Sequence, residues 1–507
     1  MISIPLKRKN HKSVFAWFYA IITLFLPILK MMNILKNKHD MFKEKLVFSN
    51  FKVTLNFVLI SLVFVTNFAI AQTGFEFTNK VYSKDIFSIQ TLVNGSIKSL
   101  PILSKNGNDI LMIQFDDLVE DENKNYYYRI IHCDRNWNKS NITEVEYIDG
   151  YNDDIVRNWE FSATTKVNYT HYFFQIPNKD TKLKISGNYL LLIYDKGNDS
   201  KPVFTRRFMV VENNVKPFVS IVRPMEVSNL RYNHQLNISV NMGQNKVANP
   251  QRDVFVDVIQ NGNWDNAKKE LKPVFISNNV LTFDNFGAIS FKALTEYRSF
   301  DMRRIQARGR NVAGINFKTT PNEVFLKVDE PKPYSTYSFN FDFNGNYYVD
   351  NWDYTDPKIR DFVSNLSYYE DSIQQTFITR NELLDGEYQV SEKDLRADYN
   401  KVYFYLKSEE VYNSDVYVYG AFTNWLISPE FKMKYNATEG MYEVNALLKQ
   451  GYYDYMYAAV NNQNVTDFAK IEGSWAETEN DYTTLVYLSE FGSRYDRIIG
   501  YTTSVSR

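Results

Sequence analysis

Residues Tyr452-Tyr453-Asp454-Tyr455-Met456-Tyr457 set aromatic side chains in close succession, and Val416-Tyr417-Val418-Tyr419 alternates β-branched and aromatic residues. Both runs have strand composition, because branched and ring side chains fit a pleated surface and lose rotamer freedom in a helix. Working outward, Asn188–Tyr194 and Phe204–Val211 have the same character. Val254–Gln260 ends at Asn261-Gly262, the pair favoured where a two-residue hairpin needs positive φ twice. Lys196-Gly197-Asn198 and Glu439-Gly440 add turn signals. The nearest approach to a helical stripe is Pro357–Tyr369, with Ile359, Phe362, Val363 and Leu366 at helical spacing and a proline near its start. Short strands separated by turn residues predict β-sandwiches.

The chain has 507 residues, too many for one small domain. Its 58 Lys+Arg against 59 Asp+Glu exclude a strongly basic nucleic-acid binder. A single cysteine excludes a disulfide framework and cysteine-based metal clusters. Aromatic residues make up 16% of the chain, ample for sizeable cores.

The near-neutral balance is uneven along the chain. Residues 1–71 hold 10 of the basic residues and two acids, Asp40 and Glu44, which leaves 72–507 with a net charge of −9. Residues 41–71 read as a secretory signal peptide: Lys43, Lys45 and Lys52 precede the uncharged apolar run Val53–Ile70, and Ala69-Ile70-Ala71 gives the small-x-small pattern for cleavage between Ala71 and Gln72. A second apolar run, Val14–Leu29, is short for a membrane span. Residues 1–40 read as sequence ahead of the true start; a membrane hairpin is the alternative, and an uncleaved anchor the alternative for Val53–Ala71. After cleavage the body would not span a membrane, and its lone cysteine suits an oxidising compartment.

Proline-punctuated segments divide the rest. The expected units are 72–215, a second β-sandwich over 216–332, an irregular connection over 333–394, and a last β-sandwich over 395–507. No fixed-period repeat appears.

The sequence offers little chemistry. His132, His171 and His234 lie far apart, and there is no zinc-helix motif, no nucleophile elbow, no phosphate loop and no dinucleotide fingerprint. His132-Cys133-Asp134 is the one reactive-looking cluster, but neighbours on a strand point to opposite faces, so a buried thiol and a paired histidine are expected. Asp342-Phe343-Asn344-Gly345 has part of a calcium-loop pattern without its later bidentate glutamate, so a polar turn is expected. No cofactor, metal or small-molecule substrate is implied. Asn424-Trp425 and Trp475 are candidate stacking residues for a rival reading, a secreted carbohydrate-binding β-sandwich protein.

Nine segments, in order, resemble the plug protein family of the type IX secretion system. They are Tyr126–Trp137 (YYYRIIHCDRNW), Asn168–Pro177 with Ser186–Tyr194 (NYTHYFFQIP, SGNYLLLIY), Val203–Val211 (VFTRRFMVV), Val258–Ala267 (VIQNGNWDNA), Tyr297–Arg304 (YRSFDMRR), Val416–Trp425 (VYVYGAFTNW), Lys449–Tyr457 (KQGYYDYMY), Glu472–Tyr487 (EGSWAETENDYTTLVY) and Arg494–Tyr501 (RYDRIIGY). In the last unit, Val418–Trp425 and Gly451–Tyr457 are also similar to early-set immunoglobulin-like domains. The fold expected is therefore all-β, with tandem immunoglobulin-like or fibronectin-like sandwiches behind an N-terminal signal segment. The resemblance implies a periplasmic, non-enzymatic protein on the inner side of the outer membrane. There it would dock on the periplasmic mouth of a giant translocon barrel and seal the pore. Trp137, Trp159, Arg303 and Trp425 are the candidate partner-binding residues, since aromatic and arginine side chains most often anchor interfaces.

Overall fold

The computed structural model describes residues 74–97, 100–119, 124–195, 201–283, 287–333, 335–354 and 392–506. The leader 1–71, the cleavage residues Ala71 and Gln72, the turn Lys196–Asn198 and the candidate helix Pro357–Tyr369 lie outside the described residues. Gly74–Arg507 forms one compact unit. It is all-β: its strands assemble into face-packed sheets, and the described α-helices are turns of four residues.

The strand expected over Val254–Gln260 has those bounds. Asn188–Tyr194 and Phe204–Val211 fall within Gly187–Asp195 and Lys201–Val211, and the two opening runs within Ser414–Tyr419 and Gly451–Asn461. At the hairpin, Asn261 and Gly262 adopt φ of 48° and 71°, the left-handed pair that the turn needs.

Sheet I orders Ile86–Val93, Leu111–Asp117, Thr170–Ile176 and Asn158–Phe161. Sheet II orders Lys80–Val81, Lys201–Val211, Gly187–Asp195, Tyr126–Cys133 and Asp153–Ile155. Sheet III orders Asn263–Leu271, Val254–Gln260, Asp481–Leu488 and Arg497–Val505. Sheet IV orders Pro217–Val222, Asn233–Asn241, Val280–Thr282 and Phe275–Ser277. Sheet V is built around Gly451–Asn461, which pairs with Arg298–Asp301, Tyr347–Val349 and Ser414–Tyr419. Sheet VI orders Val312–Asn316, Asn322–Leu326, Tyr399–Lys407, Met441–Lys449 and Lys434–Asn436.

These sheets are stacked. Ile113, Phe115 and Tyr172 of sheet I meet Ile130, Leu191 and Phe204 of sheet II in one core. The opposite face of sheet II, through Ile131, Leu190 and Met209, meets Phe255, Ile259 and Leu485 of sheet III. Sheet III then turns Val256, Val258 and Val486 to Leu236, Ile238 and Leu281 of sheet IV. Sheets V and VI enclose a further core around Phe300, Val402, Phe404 and Tyr455. A sheet covered on both faces needs continuous rather than alternating apolar strands. Accordingly every residue but the last of Gly187–Asp195 is buried; every residue of Leu111–Asp117 is buried as well, its polar Gln114, Asp116 and Asp117 included.

Chain order and sandwich order differ. Sheets I and II use residues 80–211. Strand pairing crosses the divisions expected at 332 and 394. Val254–Gln260 pairs with Asp481–Leu488, Arg298–Asp301 with Gly451–Asn461, and Asn322–Leu326 runs parallel to Tyr399–Lys407. Within 333–394, Tyr347–Val349 is a strand of sheet V. The reason is physical: composition marks strands and turns, whereas pairing between strands far apart in the chain leaves no local signal.

Candidate interaction surface

The edge of sheet I carries an interior-type row into solvent. Phe115, Tyr172 and Trp159 lie side by side across three strands of that sheet. Phe115 and Tyr172 are fully buried and stack at 5.1 Å, but Trp159 is 37% exposed. Phe161, two residues on and therefore on the same face, is 53% exposed and meets Trp159 edge-on at 5.1 Å. Among the described residues no further strand pairs beyond Asn158–Phe161, and all four of its residues are exposed. The strand is held firmly at its end. The Ala163 N–H donates to the Leu395 carbonyl, and Lys166 Nζ donates to the Phe317 carbonyl and to Asn322 Oδ1, both at 2.7 Å. A rigid edge with two projecting rings fits partner recognition, because exposed edges otherwise invite unwanted pairing.

A second aromatic row crosses the outer face of sheet IV, where Phe218, Ser239, Thr282 and Phe275 are successive partners and both phenylalanines are exposed.

The other three anchors expected from sequence lie elsewhere. Trp137 is 3% exposed; it meets Trp264 edge-on at 5.2 Å under the Arg207 guanidinium, which is 4.3 Å from its ring. It takes φ of 66°, which folds the loop back into the core between sheets II and III. Arg303 is 1% exposed, its guanidinium paired with Asp301 at 2.6 Å and lying 3.7 Å over the Trp352 ring. Neither is available to a partner, so both expectations are corrected. Trp425 is half-buried against Tyr419 and Tyr297. Gly345 lies so close beneath it that a Cβ there would come within 2.4 Å of the indole. Trp475 is half-buried beside Tyr337. Trp425 and Trp475 thus each pack against tyrosines of the protein itself.

The buried polar groups are fixed by their neighbours. His132 is held between Ser140 Oγ at 2.8 Å and the Ser186 carbonyl at 3.1 Å, and burial pushes its imidazole down to about 4. Cys133 points to the other face of the strand, into the core between sheets II and III, and burial pushes its thiol up to about 12. A neutral thiol and a neutral histidine on opposite faces make no nucleophile pair. Asp342 accepts from the Asn344 and Tyr297 N–H groups, and burial pushes it up to about 7. Among the described residues, no group of three or more His, Cys, Asp or Glu could hold a metal ion.

One cluster has no counterpart in the sequence reading. Asp116 of sheet I accepts from Lys449 Nζ of sheet VI at 2.6 Å and from the Tyr399 hydroxyl at 2.7 Å, and its other oxygen meets His171 Nδ1 at 2.6 Å. Burial works to raise Asp116, but Lys449 and His171 outweigh it and hold the carboxyl below its usual range. The cluster joins the first sandwich to the last. Its available signal was the polar trio Gln114, Asp116 and Asp117 within the strand LMIQFDD.

Comparison with known proteins fits this architecture. Residues 86–212 match the family described as type 9 secretion system plug protein 1st domain. That span holds nearly all of sheets I and II, including Trp159 and Phe161, so the match falls on the first sandwich. The solved structure of a hypothetical protein from Parabacteroides merdae ATCC 43184 is similar over 85% of this chain and 100% of its own, at 28% identity and a TM-score of 0.75. The fold thus extends well beyond the matched domain. No curated protein matches the chain.

Proposed function

We propose that this protein is a periplasmic plug subunit of the type IX secretion system, binding the periplasmic mouth of the outer-membrane translocon barrel and sealing its pore by protein contact. The observation that carries this reading is the plug-domain match over 86–212 on a chain of stacked sheets. A barrel of about 36 strands encloses a wide lumen, and left open it would breach the outer-membrane barrier. Sheets II and III, each packed on both faces, make the body stiff. The exposed Trp159–Phe161 edge lies within the matched span and supplies the partner contact.

The test is capture from detergent-solubilised outer membrane. The wild-type chain should recover a very large barrel protein, and Trp159→Ala with Phe161→Ala should lose it. A strain lacking the protein should become permeable to a large antibiotic. An unchanged barrier, with no barrel recovered, would overturn the reading.

A further inference from the structure

The connection between the first two strands of sheet IV, residues 223–232 (RPMEVSNLRY), is largely exposed and mixes apolar side chains with arginines. Met225, Val227, Leu230 and Tyr232 are all exposed, Val227 at 81%. Arg223 and Arg231 flank them and are exposed too. The segment's one acid, Glu226, is occupied within the loop: its carboxylate accepts from Ser228 Oγ and Asn229 Nδ2, both at 2.7 Å. Neither arginine forms an ion pair among the described residues.

The tip is rigid. Val227–Asn229 is a 3-10 turn, and the Met225 N–H donates to Gln235 Oε1 at 2.9 Å. At the root, the Tyr232 carbonyl accepts from Ser474 Oγ and from the Ala293 N–H, and the Arg231 carbonyl from the Ala476 N–H. A firmly held tip therefore presents apolar side chains between two arginines that have no ion partner among the described residues, with Glu226 as the one opposing charge of the segment.

We infer that this tip docks on an anionic lipid surface, its apolar side chains entering the interfacial layer and Arg223 and Arg231 meeting headgroup phosphates. Charge and size favour lipid over protein. A stable protein interface takes roughly 20–30 residues a side, and this connection has ten, 223–232. A bilayer interface accepts isolated apolar side chains and adds electrostatic attraction for nearby arginines. The contact goes beyond the plug reading and does not depend on it, since it lies outside the matched domain.

The test is flotation with vesicles, using a chain that begins at Gly74 so that the apolar leader contributes nothing. Binding is expected to an equal mixture of phosphatidylcholine and phosphatidylglycerol, and to weaken in pure phosphatidylcholine and in high salt. Val227→Asp with Leu230→Asp should reduce binding roughly tenfold or more. Arg223→Gln and Arg231→Gln should each reduce it roughly fivefold. All four positions are exposed, so melting temperatures should not move. Val227→Cys carrying an environment-sensitive dye should shift to the blue on the mixed vesicles; Cys133 is buried and stays unlabelled. Absence of wild-type flotation, equal flotation of the aspartate variant, or tip-dependent capture of a protein without vesicle binding would each overturn the proposal.

Discussion

At the residue scale, the most consequential group is Lys449. Its ammonium is buried and paired with Asp116. Removing one partner of a buried pair leaves the other charge unpaired and costs about 3–5 kcal/mol. Lys449→Met should therefore lower the melting temperature sharply, and adding Asp116→Asn should restore much of the loss; additive losses would mean the pair is not coupled. Asp342 gives the opposite kind of test. Its folded value of about 7 lies above that of an unfolded aspartate, near 4. Across that window the unfolded chain has released the proton and the folded chain retains it, so stability falls as pH rises. Asp342→Asn lacks this titration and should gain stability relative to wild type as pH goes from 4 to 8. Parallel melting profiles would refute this. Asp454, raised by burial and by Asp342, adds the same sign. Neither Asp342 nor Asp454 was legible in the sequence as a carboxyl of raised pKa, because desolvation is a property of the assembled sheets. His132 and Cys133 were legible, since alternation along one strand already separates them.

At the element scale, the edge strand Asn158–Phe161 carries the sharpest prediction. Trp159 and Phe161 are exposed, so their truncation to alanine should cost about 1 kcal/mol or less by thermal melting. Capture of the proposed barrel partner should nevertheless be lost. A large stability loss would instead make the rings part of the core. Sequence alone named Trp159 but set it beside Trp137 and Arg303, which are buried. The distinction rests on whether another layer covers the residue, and local composition carries no such information. The Asn261-Gly262 hairpin was legible because its chemistry is local. Its second role was not: the Asn261 amide also donates to Asn480 and accepts from the Asp481 N–H, tying the turn to the chain's closing strands.

At the scale of the whole molecule, the all-β class was readable from strand and turn composition, whereas the sandwich membership of each strand was not. Sheet III shows why, since Asp481–Leu488 sits between Val254–Gln260 and Arg497–Val505. A chain ending at residue 480 should leave Val254–Gln260 unpaired on that side and uncover the cores that sheet III shares with sheets II and IV. Limited proteolysis should then cut within 217–292 while 80–211 survives. Survival of both regions would show that the closing strands are dispensable.

The same arrangement sets an order of events in time. A chain delivered N-terminus first can complete the paired sheets of 80–211 early, because all their strands have by then arrived. The second sandwich must wait for the chain's last strands, and loop closure over more than two hundred residues is slow. During that interval the strands of 217–292 stand open to water and to one another. A membrane-crossing route that passes unfolded chain would receive this protein in its most pliable form, and a chaperone that shields open sheet edges would have its longest task in the middle of the molecule rather than at either end.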